Sequence, residues 1–282
     1  MRKNTFKRVL VTGASSGIGY DTARALAQAG YEVFAAARRV ALMEPLREFG
    51  VTPVALDVTS EASIAACLSQ VGEVDVLVNN AGFGYFGPIE AVPMEDARRQ
   101  LEVNLFGLAA LCKAVLPGMR ARGAGRIVNI GSVAGRACLN FGGWYHVSKY
   151  AVEAFSDALR IEMEPLGVTV ALVEPGAIRT AWGGIAADHL AECTAGTPYG
   201  EAGARQAAVM HKGYTLSVLS DPSVVTRAIV KAVSARRPRP RYHPGLGARA
   251  MIFGHWLLPT RWWDALVRQL ASPRLARFAA RL

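Results

Sequence analysis

Tyr145 and Lys149 stand four residues apart in Tyr-His-Val-Ser-Lys, and Ser132 lies thirteen residues earlier. On a helix that separation puts two side chains on one face, a turn apart. A phenol is then held beside an ammonium, with a hydroxyl nearby to position a substrate oxygen. A phenol of pKa ~10 is a poor base near neutrality, and bringing it down to about 7 or 8 takes roughly 3 to 4 kcal/mol. One ammonium about 4 Å away, at an effective dielectric near 20, supplies on the order of 4 kcal/mol. A single lysine therefore suffices to make Tyr145 a general acid/base. Many exposed helix faces meet the same spacing, so the reading depends on what the rest of the chain places around it.

The first forty residues supply the frame. Arg8-Val9-Leu10-Val11 is a short apolar, β-branched run that leads into Thr12-Gly13-Ala14-Ser15-Ser16-Gly17-Ile18-Gly19. An alanine-rich stretch from Asp21 to Ala29 predicts a helix stopped by Gly30, and Glu32 to Ala36 predicts a second strand. This strand, glycine-rich turn, helix, strand order holds a dinucleotide pyrophosphate. The glycines let the backbone approach the phosphates, and the helix N-terminus offers N–H groups and a partial positive charge. A tight turn with no ligand is the plain alternative. Some twenty residues on, where a carboxylate usually takes the ribose 2′-hydroxyl, the chain carries Ala37-Arg38-Arg39 instead. Arg38 can pair with a 2′-phosphate, which favours NADP(H) over NAD(H). Its plain alternative is solvation of a helix start.

Together the glycine motif, Asn79-Asn80-Ala81-Gly82, Ser132 and Tyr145-x-x-x-Lys149 closely resemble the compact branch of the short-chain dehydrogenase/reductase family, over about residues 6 to 242. The resemblance implies an α/β fold: a Rossmann-type doubly wound parallel sheet in one domain, here with a helical C-terminal extension over 243–282. It implies that Asn104 holds a water of the proton relay, Ser132 hydrogen-bonds the substrate oxygen, and Tyr145 is the general acid/base. Lys149 lowers the tyrosine pKa and binds the nicotinamide ribose. The glycine motif, Gly13 with Ser15, Ser16, Gly17, Ile18 and Gly19, carries the pyrophosphate. Asp57 and Val58 flank the adenine, Asn80, Ala81 and Gly82 line the cofactor cleft, and Pro175, Gly176, Ile178 and Thr180 hold the carboxamide end. The residues agree on their own terms, since Ser132 follows the apolar run Arg126 to Ile130 and Asn79 follows Val74 to Val78. Both therefore sit at carboxyl ends of strands, where open α/β sheets bind ligands.

At 282 residues and 51% hydrophobic composition, the chain can bury a sizeable core. Val54 to Asp57 and Val168 to Glu174 read as further strands, and Met94 to Arg122 as one long helix. Cys67, Cys112, Cys138 and Cys193 are scattered, which suggests neither a metal site nor a disulfide framework and fits a reducing interior. The basic N-terminus leads straight into the first strand rather than a secretory signal, and no stretch approaches the ~20 apolar residues of a membrane span. The expected location is cytoplasmic, peripheral at a membrane at most. Charge is divided unevenly. Residues 231–282 hold Lys231 and ten arginines against Asp264 alone, so the whole net charge of +10 sits there, with Trp256, Trp262, Trp263, Phe253 and Phe278. Basic and aromatic residues together suit the headgroup region of an anionic membrane. A helical cap over the core is the compatible alternative, and nucleic-acid binding has only the charge to support it.

Two regions should shape a substrate pocket. Gly135 to Trp144 carries Leu139, Phe141 and Trp144, and the Gly/Ala-rich segment 181–216, with Trp182, Ile185, Tyr199, Met210 and Tyr214, suits a mobile lid. Phe141, Trp144 and Trp182 are the substrate candidates. Few charged groups fall near this end, so the leading substrate is a small lipophilic alcohol or ketone, steroid-, retinoid- or long-chain-like. The tail beyond the last strand resembles that of hydroxysteroid and retinol dehydrogenase-like members. A 3-oxoacyl-carrier-protein reductase is the rival within the chemistry, and a non-catalytic NADP(H)-binding sensor the rival outside it. A homo-oligomer is compatible with the sequence.

Overall fold

The computed structural model of the chain describes residues 6–215 and 219–270. Leu216 of the expected lid, and Phe278 with the rest of 271–282, lie outside the described residues. Seven strands, β1 (Arg8–Thr12), β2 (Glu32–Ala37), β3 (Thr52–Ala55), β4 (Val76–Asn79), β5 (Gly125–Ile130), β6 (Val168–Val173) and β7 (Arg241–Tyr242), form one sheet in the order β3-β2-β1-β4-β5-β6-β7. Every pairing is parallel. Successive strand side chains point to opposite faces, so each strand feeds two cores. Val9, Val11, Val33, Ala35, Val128 and Val173 meet Ala23 and Leu26 of α1 (Gly17–Gln28) and Val225, Ile229 and Val233 of α8 (Ser223–Ser234). Leu10, Phe34, Leu77, Ile127 and Leu172 turn the other way. They pack on α2 (Glu61–Val71), α4 (Leu108–Ala121) and α5 (Gly143–Met163). Burial on both faces is why these strands read as continuous apolar runs.

Element edges move by a few residues. The third strand ends at Ala55 rather than Asp57, because the Asp57 carboxylate accepts bonds from the Thr59 N–H (3.0 Å) and hydroxyl (2.7 Å), and its own N–H donates to Ser63 Oγ. That loop geometry competes with a strand ladder. The expected single helix from Met94 is α3 (Met94–Leu101), a π-helical turn over Glu102–Gly107, then α4. Gly107, at the end of that turn, lets Val58 pack against it, since a Cβ there would lie 2.7 Å from Val58 Cγ2 and 2.8 Å from its carbonyl oxygen. Contrary to the expectation that no stretch qualifies, Met94–Ala121 is long and apolar enough by length and composition to cross a membrane. Here its second half is a core helix, with Leu108, Leu111, Cys112 and Met119 buried among α2, β4 and β5.

The segment expected to be a lid forms two helices, α6 (Trp182–Thr194) and α7 (Gly200–Thr215). Its glycine and alanine content serves close packing: Ala187, Leu190 and Ala207 share one small core, and a Cβ on Gly203 would lie 2.1 Å from Thr194 Oγ1. Beyond β7, α9 (Ala248–Leu257) and α10 (Thr260–Leu270) cover the turn after β5, with Trp263 and Val267 buried against Ala137.

Gly203→Ala is therefore expected to force α6 and α7 apart, because Thr194 is buried and its hydroxyl is already bonded to the Leu190 carbonyl at 2.7 Å. Overpacking of this kind costs about 1–3 kcal/mol, to be read by denaturant unfolding. Wild-type stability would contradict the assigned packing.

Candidate active site

The chain lays β2 and β3 on one side of β1, then returns to place β4 on the other. A crevice opens beyond the carboxyl ends of strands at such a reversal. Its floor is pinned by Thr12, a residue the sequence reading passed over: its Oγ1 accepts from the N–H groups of Asn80 and Ala81, both at 3.0 Å. Asn80 Nδ2 donates back to the carbonyls of Thr12 (3.0 Å) and Gly13 (3.2 Å). Gly13 sits at φ +65° with its missing Cβ 2.7 Å from Ala81 Cα, so the turn tolerates no side chain there. Ser16 begins α1 in an extended conformation, its side chain makes no capping bond, and no acid occupies the first helical turn. A helix N-terminus left open in this way suits an anion. Arg38 and Arg39 stand on the same wall, with Arg39 Nη2 3.4 Å from Ser15 Oγ. The glycine cradle and the cations fit the phosphates of a dinucleotide.

One cleft of about 1020 Å³ joins this crevice to the rest of the site. Of the residues expected at the cofactor, Gly13, Ser15, Ser16, Gly17, Ile18, Arg38, Asp57, Val58, Asn80, Ala81, Gly82, Pro175, Gly176, Ile178 and Thr180 line it. Ser132, Tyr145, Lys149 and Trp182 line it too. Gly19, Asn104, Phe141 and Trp144 are not on its wall. Gly19 packs beneath the turn, where a Cβ would lie 2.5 Å from the Gly13 carbonyl oxygen. Asn104 is buried in the π-helical turn. Its Oδ1 accepts from Phe83 N (3.0 Å), and its Nδ2 donates to Phe83 O (2.8 Å) and Ser148 Oγ (3.0 Å).

The path of the chain between Ser132 and Tyr145 explains the two aromatic residues. His146 Nε2 accepts from Leu139 N (3.0 Å), and its Nδ1 bonds the Ala134 carbonyl (2.8 Å). Burial holds this histidine below its ordinary pKa, which suits a neutral ring donating at one nitrogen and accepting at the other. The loop so pinned presents Leu139 and Asn140 to the cleft and turns Phe141 away, onto the α6–α7 core and 6.3 Å from the Tyr199 ring. Trp144 also points elsewhere, its indole N–H buried with no hydrogen-bond partner among the described residues.

Tyr145 is nearly buried, its ring 5.6 Å from Phe86 and 5.1 Å from Trp182. Trp182 fits there because Gly84 has no side chain; a Cβ would lie 2.3 Å from the indole. Lys149 Nζ lies 5.9 Å from the Tyr145 ring centre and donates to the Ile130 carbonyl at 2.8 Å. Burial pushes the lysine down to about 8, opposed by the Glu153 carboxylate one helical turn on. Ser132 Oγ accepts from Ala134 N at 3.1 Å and keeps its hydrogen for another partner. Near neutrality the arrangement offers a hydroxyl donor, a phenol able to give or take a proton, and a cation that favours the phenolate.

Behind Lys149 lies a charge cluster the sequence did not suggest. Arg241 donates to Glu153 and Asp157 (2.6 Å) and forms an ion pair with Glu174 at 3.2 Å, and His243 Nε2 stands 2.9 Å from Glu174. Burial, and then the neighbouring Glu174 charge, pushes Glu153 up to about 7, and Glu174 is also raised by burial. Two buried carboxyls in contact thus retain a proton where isolated ones would not. Burial, and then the neighbouring Arg241, holds His243 below its ordinary pKa. Its 2.9 Å approach to Glu174 is not aligned as a hydrogen bond.

The remaining wall is mostly apolar: Tyr85, Phe86, Leu139, Ile185, Met210 and Met251. Asp96, Arg99 and His189 also line it, which corrects the expectation of few charges, although Arg99 lies over the Phe83 ring and His189 stacks on Tyr85 at 4.5 Å.

A family model described as short chain dehydrogenase matches residues 7–189. A probable short-chain type dehydrogenase/reductase of Helicobacter pylori, VdlC, is 32% identical over 94% of this chain and 98% of its own. Human retinol dehydrogenase 8 is 37% identical over 82% of this chain and 79% of its own. Among solved structures, a short chain dehydrogenase from Burkholderia cenocepacia in complex with NADP superposes with a TM-score of 0.73 at 25% identity, covering 96% of this chain and all of that one.

The buried lysine carries a pH signature. Its folded value of about 8 lies below the ordinary 10.5, so the unfolded chain holds the proton more tightly. At pH 7 that disfavours folding by about 3 kcal/mol at 1.36 kcal/mol per pH unit, and the penalty fades as pH rises from about 8 to 10.5. Lys149→Met is thus expected to be more stable than wild type near pH 7, with an advantage that shrinks through that window. Denaturant unfolding across pH checks this. An advantage that does not change with pH would mean that the amine is not desolvated as described.

Proposed function

The chain belongs to the short-chain dehydrogenase family, and from that premise we propose an oxidoreductase that moves a hydride between NADP(H) and a lipophilic alcohol or ketone. The observation that carries this reading is the placement of Tyr145 and Lys149, one turn apart on α5, on the wall of the cleft that begins at the glycine turn and Arg38. The nicotinamide cofactor supplies the hydride. Ser132 positions the substrate oxygen, Tyr145 gives that oxygen a proton in reduction or takes it in oxidation, and Lys149 favours the phenolate. The buried hydrogen bonds of Asn104 hold the chain at Phe83 beside the site. Arg38, with Arg39 next to it, pairs with a 2′-phosphate, and no carboxylate stands at Ala37 to favour the free hydroxyl. Support for a lipophilic substrate comes from the wall of Phe86, Leu139, Trp182, Ile185, Met210 and Met251, and from the similarity to retinol dehydrogenase 8.

Tyr145→Phe keeps the ring and its packing and removes the exchangeable proton. The expected result is a fall in kcat of at least ~10²-fold with NADPH binding retained. Near wild-type turnover would remove Tyr145 from the mechanism. If wild type turns over no member of a carbonyl panel with NADPH, the sensor reading stands instead.

Replacing Ala37 with Asp and Arg38 with Ser should move the ratio of kcat/KM for NADPH over NADH towards NADH by about tenfold or more, since one good charged contact is worth roughly that. An unchanged ratio would leave Arg38 a surface residue.

A further inference from the structure

We propose that α9 and α10 dock the protein on the surface of an anionic lipid bilayer, beside the mouth of the cleft. The two helices are only half used by the fold. Ala248, Trp263 and Val267 are buried, the Trp263 indole donates to the Cys138 carbonyl at 3.3 Å, and His255 meets its ring edge-on at 5.0 Å. The helices therefore have a fixed seat. Their other side leaves Phe253, Trp256, Leu257, Trp262 and Leu266 exposed, with Trp256 76% and Trp262 68% accessible. Among the described residues these are five of the seventeen exposed large hydrophobics, gathered within fourteen positions. Single exposed apolar residues need no explanation, whereas a concentration of this kind marks a contact surface.

Charge decides what the surface contacts. Arg249, Arg261 and Arg268 are exposed on the same helices, opposed there by Asp264 alone, and the sequence continues with Arg274, Arg277 and Arg281. A second copy of this chain would bring the same positive charge against itself. Anionic headgroups complement it, while the tryptophans and Phe253 enter the headgroup–acyl boundary. The opposite side of α9 carries Met251, and with Leu246 just before the helix it lines the cleft. A lipophilic substrate would thus pass from bilayer to cleft with little contact with water. That consequence rests on the proposed function; the docking does not.

Full-length protein is sedimented with vesicles of phosphatidylcholine alone and of phosphatidylcholine with phosphatidylglycerol, across salt concentrations. The variants are Trp256→Ala/Trp262→Ala and Arg261→Glu/Arg268→Glu, at exposed positions outside the cleft. Wild type is expected to bind the anionic vesicles, at least tenfold more weakly in either variant, and progressively less as salt rises. Turnover of a small water-soluble ketone with NADPH should be the same in all three, so a failed docking remains distinguishable from a failed enzyme. Absence of wild-type binding at low salt overturns the proposal. So does vesicle binding that both variants retain, a dimer abolished by the tryptophan changes without vesicle binding, or duplex DNA binding in place of vesicle binding.

Discussion

An ammonium group buried at the carboxyl end of β5 sets the terms for the structure around it. Lys149 is almost without solvent, and its Nζ, donating to the carbonyl of Ile130, ties the second turn of α5 to the last residue of β5. Such a contact needs the helix to come unusually close to the strand end. Gly135 allows it, since a Cβ there would lie 2.8 Å from the Lys149 carbonyl oxygen, and Gly82 allows Asn104 and Lys149 to flank the same spot. The charge cluster of Glu153, Glu174 and Arg241 then braces the helix from behind and joins it to β7. Burying a cation is unfavourable in itself, and the fold accepts that cost where an electrostatic effect on Tyr145 is strongest.

The sheet reversal between β1 and β4 does the complementary work for the anionic part of the site. Thr12 and Asn80 cross-brace the two strand ends, and Gly13 and Gly19 allow the turn, the next strand and the helix to pack without side chains between them. One rigid scaffold thus presents an open helix N-terminus and two arginines along the same cleft as the phenol and the ammonium. The distance between the glycine turn and Tyr145 is fixed by the sheet, not by loops that must find each other.

Much of this could be read in advance, for definable reasons. The glycine turn, the strand ends carrying Asn79 and Ser132, and the Tyr145–Lys149 face each follow from local geometry: period, spacing and the residue types a turn demands. The π-helical turn at Asn104 was hidden, because an apolar stripe looks the same whether or not the helix carries an extra residue. Phe141 and Trp144 lie off the cleft wall because the direction of their loop is set by His146, whose bonds to Ala134 and Leu139 follow from no spacing. Glu153, Glu174 and Arg241 come from three separate elements, so only the fold brings them together. The Gly/Ala content of 181–216 suits a loose segment and a close helix pair alike, because small residues also let two helices touch.

Ultraviolet difference titration of the phenolate reads whether the Lys149 charge makes Tyr145 a base near neutrality. The Tyr145 signal is isolated by subtracting Tyr145→Phe, in the wild-type background and again in Lys149→Met. With the cation 5.9 Å from the ring centre, an effective dielectric near 20 gives on the order of 3 kcal/mol at that separation, so the phenolate should first appear about two pH units lower with Lys149 than without it. Ionisation at the same pH in both backgrounds would mean that the lysine charge does not act on Tyr145.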